Sequence, residues 1–432
     1  MTALLLALND RTFASLRRHR NYRLFFTGQL VSVSGTWMQN IALAWLVIEL
    51  THSPLAVGAL AFCRFIPFTV FGLFAGVLAD RIDNRRLVIV TQTVSMVFSA
   101  VLAVLVLTGG ATLWLVYLLA ILSSTAIVFD APGRHALTFQ MVGRDELPNA
   151  VALNASLFNG SRVVGPAIAG VIIAAWGVGA CFVVNTVSFL AVLASLLMMR
   201  ESELVKVIRE AEPPKVLQSI REGLSYARHS PQLRLVLAIV TVISTVGFNF
   251  HVILPLLASD TLRAGPEVFG ILSACFGAGA LLGALLSAAL GRASWKVLVL
   301  GTGGFSVSLL ALAAIESILP AAALLFVTGT CFTLWTSNAN SILQLGAPDR
   351  LRGRIVSLYL WAFAGLAPVG GLLAGWLTEV GGTPLAFVVA GSTGLGMTVL
   401  AAGELRKRRD AAREAGVRSR NARNLTVTAD RE

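Results

Sequence analysis

The sequence predicts an all-α membrane protein of twelve transmembrane helices in two pseudo-symmetric six-helix bundles. Three observations carry that prediction. First, 56% of the 432 residues are hydrophobic and only 13% are charged, against about 25% charged in soluble domains. The mean hydropathy of +0.78 agrees. Second, the apolar residues fall into about twelve runs, each near the ~20 residues needed to cross a bilayer. Third, the charges are placed asymmetrically. Of 34 Lys and Arg residues, 31 lie in the termini and alternate loops, leaving Arg64 and Arg162 inside runs and Arg263 in an opposite loop. Basic residues collect on the cytoplasmic side of membrane proteins. The net charge of +12 therefore sets membrane orientation and does not indicate a nucleic-acid partner.

Taken in order, residues 1–23 form a basic cytoplasmic segment containing Arg11, Arg17, Arg18, Arg20 and Arg23. Met1–Leu8 is apolar, but no basic region precedes it and Asp10 and Arg11 end it, so no cleavable signal is expected. Residues 24–199 hold the first six spans. Span 1 runs from about Leu24 to Leu50, and Thr51–Pro54 turns it. Span 2 ends at Ala79, span 3 covers Leu87–Leu107, and span 4 runs to Phe129. Span 5 covers Asn149–Ala175, and span 6 ends near Met199. Residues 200–234 form a cytoplasmic central loop. After Pro213-Pro214, Val216, Ile220, Leu224 and Ala227 recur at helical spacing, the mark of an amphipathic helix on the membrane face. Residues 235–405 hold spans 7 to 12, at about 235–258, 268–290, 296–315, 320–343, 355–378 and 384–403. Gln140, Asp145 and Leu147 recur as Gln344, Asp349 and Leu351 at an offset of 204, as parallel repeats would. Residues 406–432 are highly charged without an apolar period and read as a disordered cytoplasmic tail. Cys63, Cys181, Cys275 and Cys331 lie in apolar runs with no C-x-x-C, so neither a disulfide nor a metal site is expected.

Between spans 2 and 3 stands Gly76-Val77-Leu78-Ala79-Asp80-Arg81-Ile82-Asp83-Asn84-Arg85-Arg86. Gly76, Leu78, Ala79, Asp80, Arg81 and Arg85 fit the pattern G-x-L-A-D-R-x-G-R-K, whereas Asp83 replaces its Gly. The stretch resembles the span 2–3 loop of major facilitator superfamily transporters. That resemblance implies a latch between the halves: Asp80 at the start of span 11, with Arg81 paired to Asp130. In span 5, Gly165, Pro166 and Gly170 resemble the Gly-Pro motif of exporting branches. With Arg64–Pro67, Asp130–Arg134 and Leu147–Val151, they narrow the likeness to the branch of the enterobactin exporter and macrolide and multidrug efflux proteins. Efflux of a siderophore-like or drug-like molecule across the cytoplasmic membrane, by alternating access and proton antiport, is what that implies. Import on the same fold is the alternative, and an intramembrane enzyme a distant one. No H-E-x-x-H and no Walker phosphate loop occurs, so no cofactor or metal is expected. The expected partners are a small-molecule substrate, the proton and the lipid bilayer, with a monomer as the working unit.

The residues themselves point to a polar cavity. Arg64 and Arg162 lie roughly mid-membrane by 1.5 Å per residue, where a charge costs about 2.5–3.5 kcal/mol on insertion scales. No Asp or Glu is equally deep, so the candidate partners are an acidic substrate or, alternatively, backbone carbonyls and hydroxyls. Polar stripes at helical spacing recur in span 1 (Ser32, Thr36, Gln39, Asn40), span 7 (Thr241, Ser244, Thr245, His251, with Asn249) and span 10 (Thr333, Thr336, Ser337, Asn340, Gln344). Asn159, Trp335 and Trp361 join the candidate cavity, with Tyr117 and Phe248 as further aromatic surface. Glu49 and His251 are the candidates for proton coupling.

Overall fold

The computed structural model describes residues 12–205, 216–348 and 351–429, except the side chains of residues 73–74, 76–81, 216–220 and 407–429. The described residues are nearly all helical. In chain order the helices are α1 (Ala14–Arg18), α2 (Arg20–Thr51), α3 (Pro54–Arg81), α4 (Asn84–Leu107), α5 (Leu113–Trp176), α6 (Val178–Leu197) and α7 (Val216–His229). Then follow α8 (Pro231–Gly247), α9 (Phe250–Leu256), α10 (Pro266–Leu290), α11 (Trp295–Leu312), α12 (Ile318–Leu345), α13 (Arg352–Ala364) and α14 (Ala367–Ala429). Ten helical stretches among the described residues are long and apolar enough to cross a membrane. Two of these are double-length. Gly143, at φ 72°, interrupts α5, and Gly381 and Gly382 interrupt α14. A positive φ is open to glycine without a Cβ clash.

Local chemistry sets the helix ends. Ser53 caps α3 by accepting from Ala56 N, with Pro54 at the first position. Asp83 caps α4 through Arg86 N at 2.9 Å, and Ser230 caps α8, where Pro231 follows. Arg18, Arg20, Arg85, Arg134, Arg200 and Arg354, on helices or in the connections between them, lie at one end of the molecule, here termed the basic face. There the first half is tied together closely. Ser15 Oγ donates to Asn149 Oδ1 at 2.8 Å, Arg18 pairs with Glu146 at 2.7 Å, and Tyr22 OH donates to Ala150 O at 2.9 Å.

Two expectations change. The central amphipathic helix exists as α7, and it touches protein as well: Glu222 pairs with Arg354 of α13, and Ala227 is 2% exposed while Leu224 is 51% exposed. The helical backbone also continues to Ala429, through the segment read as a disordered tail. Its Ala, Arg and Glu are strong helix formers, so charge alone did not exclude a helix.

Candidate functional site

The middle of the molecule is built around two interrupted helices. α8 ends at Gly247 and α9 begins at Phe250, leaving Phe248 and Asn249 between the two helices. Beside this break, α13 gives way to α14 at Gly365 and Leu366. The two breaks pack together: a Cβ on Gly370 would lie 2.2 Å from Thr245 O and 3.0 Å from Asn249 Oδ1. Breaks of this kind free backbone groups where a cavity can use them. Asn249 is 1% exposed; its Nδ2 donates to Thr245 O at 2.8 Å, and its Oδ1 has no partner.

His251 follows two residues on, with its ring 4.9 Å from Phe65 and an unpartnered Nε2. Arg64 has no hydrogen bond or ion pair among the described residues. Arg162 is held by rings. Its guanidinium carbon lies 5.0 Å from the Phe276 centroid, 5.8 Å from Trp37 and 5.9 Å from Phe332. Phe332 stacks on Phe248 at 4.3 Å, and Phe363 lies 5.4 Å from Phe248. Two cations thus share the middle of the molecule with aromatic surface and an unpartnered imidazole nitrogen, an arrangement suited to a planar or carboxylate-bearing ligand.

The polar stripes divide. Gln39 is buried, and its Oε1 accepts from Ser99 at 2.8 Å and from Asn185 at 2.6 Å. It therefore knots α2 to α4 and α6 and does not face a cavity. Thr36 donates to Ser32 O, Asn159 to Ala155 O, Ser244 to Val240 O and Thr336 to Phe332 O, each satisfied on its own helix. Asn40 is half-buried, and Asn340 accepts from Gln344 at 3.1 Å. That last pair leads into a recess of about 350 Å³ at the basic face, lined by Arg292, Asn338, Ser341 and Gln344 among others. Trp335 is fully buried between Phe305 and Phe332; it is a core residue of the second half. Trp361 is 40% exposed. Tyr117 ties α5 to α3 by donating to Ala56 O at 2.8 Å.

Gly76, Asp80 and Arg81 lie outside the described side chains. Asp130 accepts from Thr91 at 2.7 Å and from Gln92 at 3.0 Å, and pairs with Arg134. Arg85 donates to Leu196 O at 2.9 Å and pairs with Glu201. Gly165 backs onto α2, where its Cβ would meet Trp37 Cβ at 2.5 Å. Gly170 faces α10, 2.9 Å from Pro266 O by the same measure, and Gly270 faces Pro166 O at 2.6 Å. Glu49 is exposed at the end of α2.

Sequence reasoning passed over Trp37, Phe276, Phe332 and Phe363, which are remote in sequence and meet only in the fold. The sequence analysis pairs Asp130 with Arg81, whereas among the described residues its ion pair is with Arg134, four residues on along the same helix face. Glu379 was also missed. Its Oε2 accepts from Ser53 Oγ and Leu55 N, each at 3.1 Å, joining α14 to the start of α3 at the face opposite the basic one.

Ten helical stretches long and apolar enough to cross a bilayer give the described residues the build of a multi-pass membrane protein. The family described as transmembrane secretion effector, within the major facilitator superfamily, matches residues 11–429. The chain belongs to that family and its efflux branch; it is a transporter and not an enzyme. It is 24% identical over 384 residues to the staphyloferrin A transporter of Staphylococcus aureus, covering 88% of this chain and 94% of that one. It is 28% identical to the multidrug efflux pump Tap of Mycolicibacterium fortuitum, covering 84% and 91%. It is 21% identical to macrolide efflux protein A of Streptococcus pyogenes, covering 87% and 95%. Among solved structures, a peptide transporter POT in complex with sulfate matches with a TM-score of 0.74 at 12% identity, covering 90% and 95%. The nucleoside transporter NupG matches at 0.71 with 10% identity, covering 89% and 98%. At such identities these two structures speak for the fold alone.

Proposed function

We propose that the chain is a secondary active exporter of a small organic anion, siderophore-like in character, across the cytoplasmic membrane. Its twelve spans form two six-helix bundles, with the interruptions at Gly143 and Gly381–Gly382 each separating two spans. The basic face and both termini are cytoplasmic. The close approaches of α5 to α10 fall at 162–170 and 266–277, and Gly58 meets Gly371 and Gly375 between α3 and α14. These approaches run from mid-depth toward the opposite face. This is the inward-open stage of an alternating-access cycle.

The observation that carries the anionic reading is the pair of deep guanidiniums, Arg64 and Arg162, at a depth where the chain has no carboxylate. The names of the relatives cover siderophore, macrolide and multidrug cargo, and the cations favour the first. The test is efflux in vesicles with Arg162→Gln. Uptake of the anionic dye carboxyfluorescein into inverted vesicles is expected to fall at least tenfold, with the cationic dye ethidium little changed. Equal effects on both dyes would remove charge recognition from the argument.

Proton antiport is the coupling that the resemblance brings. His251 is the side chain through which it would run, since its Nε2 has no partner and Glu49 stands exposed at a helix end. An imposed pH gradient is expected to accelerate efflux in the parent and to leave His251→Asn unaffected. A variant that still responds to the gradient rules His251 out.

A further inference from the structure

Arg162 belongs to the first half, on α5, yet two of the three rings around its guanidinium come from the second half. Phe276 lies on α10 and Phe332 on α12, at 5.0 and 5.9 Å. The backbones meet at the same level: a Cβ on Gly277 would sit 3.1 Å from Arg162 O. The rings are firmly backed. Phe276 packs on Phe250 at 4.4 Å, and Phe332 on Phe248 at 4.3 Å. A guanidinium on desolvated aromatic faces is attracted to them. A carboxylate offers it charge-assisted, bidentate hydrogen bonds, which are stronger. The ring contact is therefore one that an arriving anion can outcompete.

We propose that Arg162 is a cargo-displaced bolt between the halves: in the empty carrier its guanidinium on Phe276 and Phe332 holds the face opposite the basic one closed, and an anionic cargo releases it by drawing the guanidinium away. The proposal rests on the anionic-export reading and adds to it the step by which binding is felt by the hinge. A ligand shifts a two-state equilibrium only by its differential affinity for the two states. Here that difference comes from one arginine exchanging ring partners in the second half for a cargo carboxylate. A neutral cargo of the same shape leaves the bolt in place.

The test uses the full chain in lipid nanodiscs, with the four native cysteines replaced by alanine and spin labels at Thr112→Cys and Glu316→Cys. Both positions are exposed in connections at the opposite face, one in each half. Pulsed-dipolar distances then report whether that face is closed. Without ligand, Arg162→Gln, Phe276→Leu and Phe332→Leu are each expected to raise the open-to-closed ratio about tenfold, whereas Phe276→Tyr, which keeps the ring, stays with the parent. Millimolar 2,3-dihydroxybenzoate is expected to lengthen the distance in the parent, 2,3-dihydroxybenzamide to leave it alone, and Arg162→Gln to ignore both. Unchanged ligand-free distances in both Leu variants, or equal responses to carboxylate and amide, would overturn the bolt. Failure of all anionic dye transport in vesicles, with the ring dependence intact, would instead remove the export reading.

Discussion

Asp130 is 2% exposed, and its carboxylate is satisfied by Thr91, Gln92 and Arg134. Replacing it by Asn keeps the shape and removes the charge that Arg134 balances. Breaking a fully buried pair costs roughly 3–5 kcal/mol. The Arg134 side chain is 30% exposed, so water recovers part of that. The expected cost of Asp130→Asn is about 1–3 kcal/mol, read as an earlier thermal unfolding of the purified protein; an unchanged midpoint would show the pair to be idle. Glycines give a second contrast at this scale. A Cβ on Gly279 would lie 1.9 Å from Phe326 O, whereas one on Gly396 meets nothing within 4 Å. Gly279→Ala must push α10 off α12, and overpacking of this kind costs about 1–3 kcal/mol. Gly396→Ala removes only the helix penalty of glycine and is expected to be neutral or stabilising by up to about 1 kcal/mol. The same thermal scan ranks the two, and equal midpoints would contradict the close packing of these helices.

At the scale of elements, α3 is capped twice, by its own Ser53 and by Glu379 of α14. A helix start carries unpaired amides and a partial positive charge, so a carboxylate from the other half steadies both the helix and the seam. Glu379→Ala is expected to cost about 1 kcal/mol, as lost caps do, and to speed amide exchange at Leu55 and Ala56 severalfold. Exchange unchanged at those two amides would mean that Ser53 alone holds the start. The elements that were legible in the sequence are those with a strong local signal: the apolar runs, the turn at Thr51–Pro54, and the amphipathic stretch after Pro214. The break at Phe248–Asn249 was not, because neither residue is Gly or Pro and the run is apolar on both sides. It persists through contacts with Gly370, 121 residues away in the chain. The stripes were legible as faces but not as destinations. Gln39 and Thr36 sit three residues apart on α2, yet Gln39 turns into the bundle toward Ser99 and Asn185. Periodicity assigns residues to a face and cannot name the neighbour that the face meets.

For the whole molecule, the placement of 31 of 34 basic residues and the packing make one joint statement, which can be checked in intact cells. If the basic face is cytoplasmic, Asp83→Cys and Arg228→Cys, both exposed, react with a membrane-impermeant thiol reagent only after permeabilisation. Thr112→Cys and Glu316→Cys, at the other end of their helices, react from outside. The close glycine contacts toward the face opposite the basic one add a condition that charge asymmetry alone does not impose. Asn159→Cys on α5, three residues before Arg162 and half-buried, is reached from the basic face and shielded from the other while the carrier is empty. An agent that shifts the cycle outward should reverse that preference without altering labelling at Asp83→Cys. Labelling of Asp83→Cys from outside would invert the molecule in the membrane and turn the proposed exporter into an importer. Labelling of Asn159→Cys equally from both sides would leave the orientation standing and remove the alternating seam, because the approaches at Gly58 and Gly270 would then not seal the outer face.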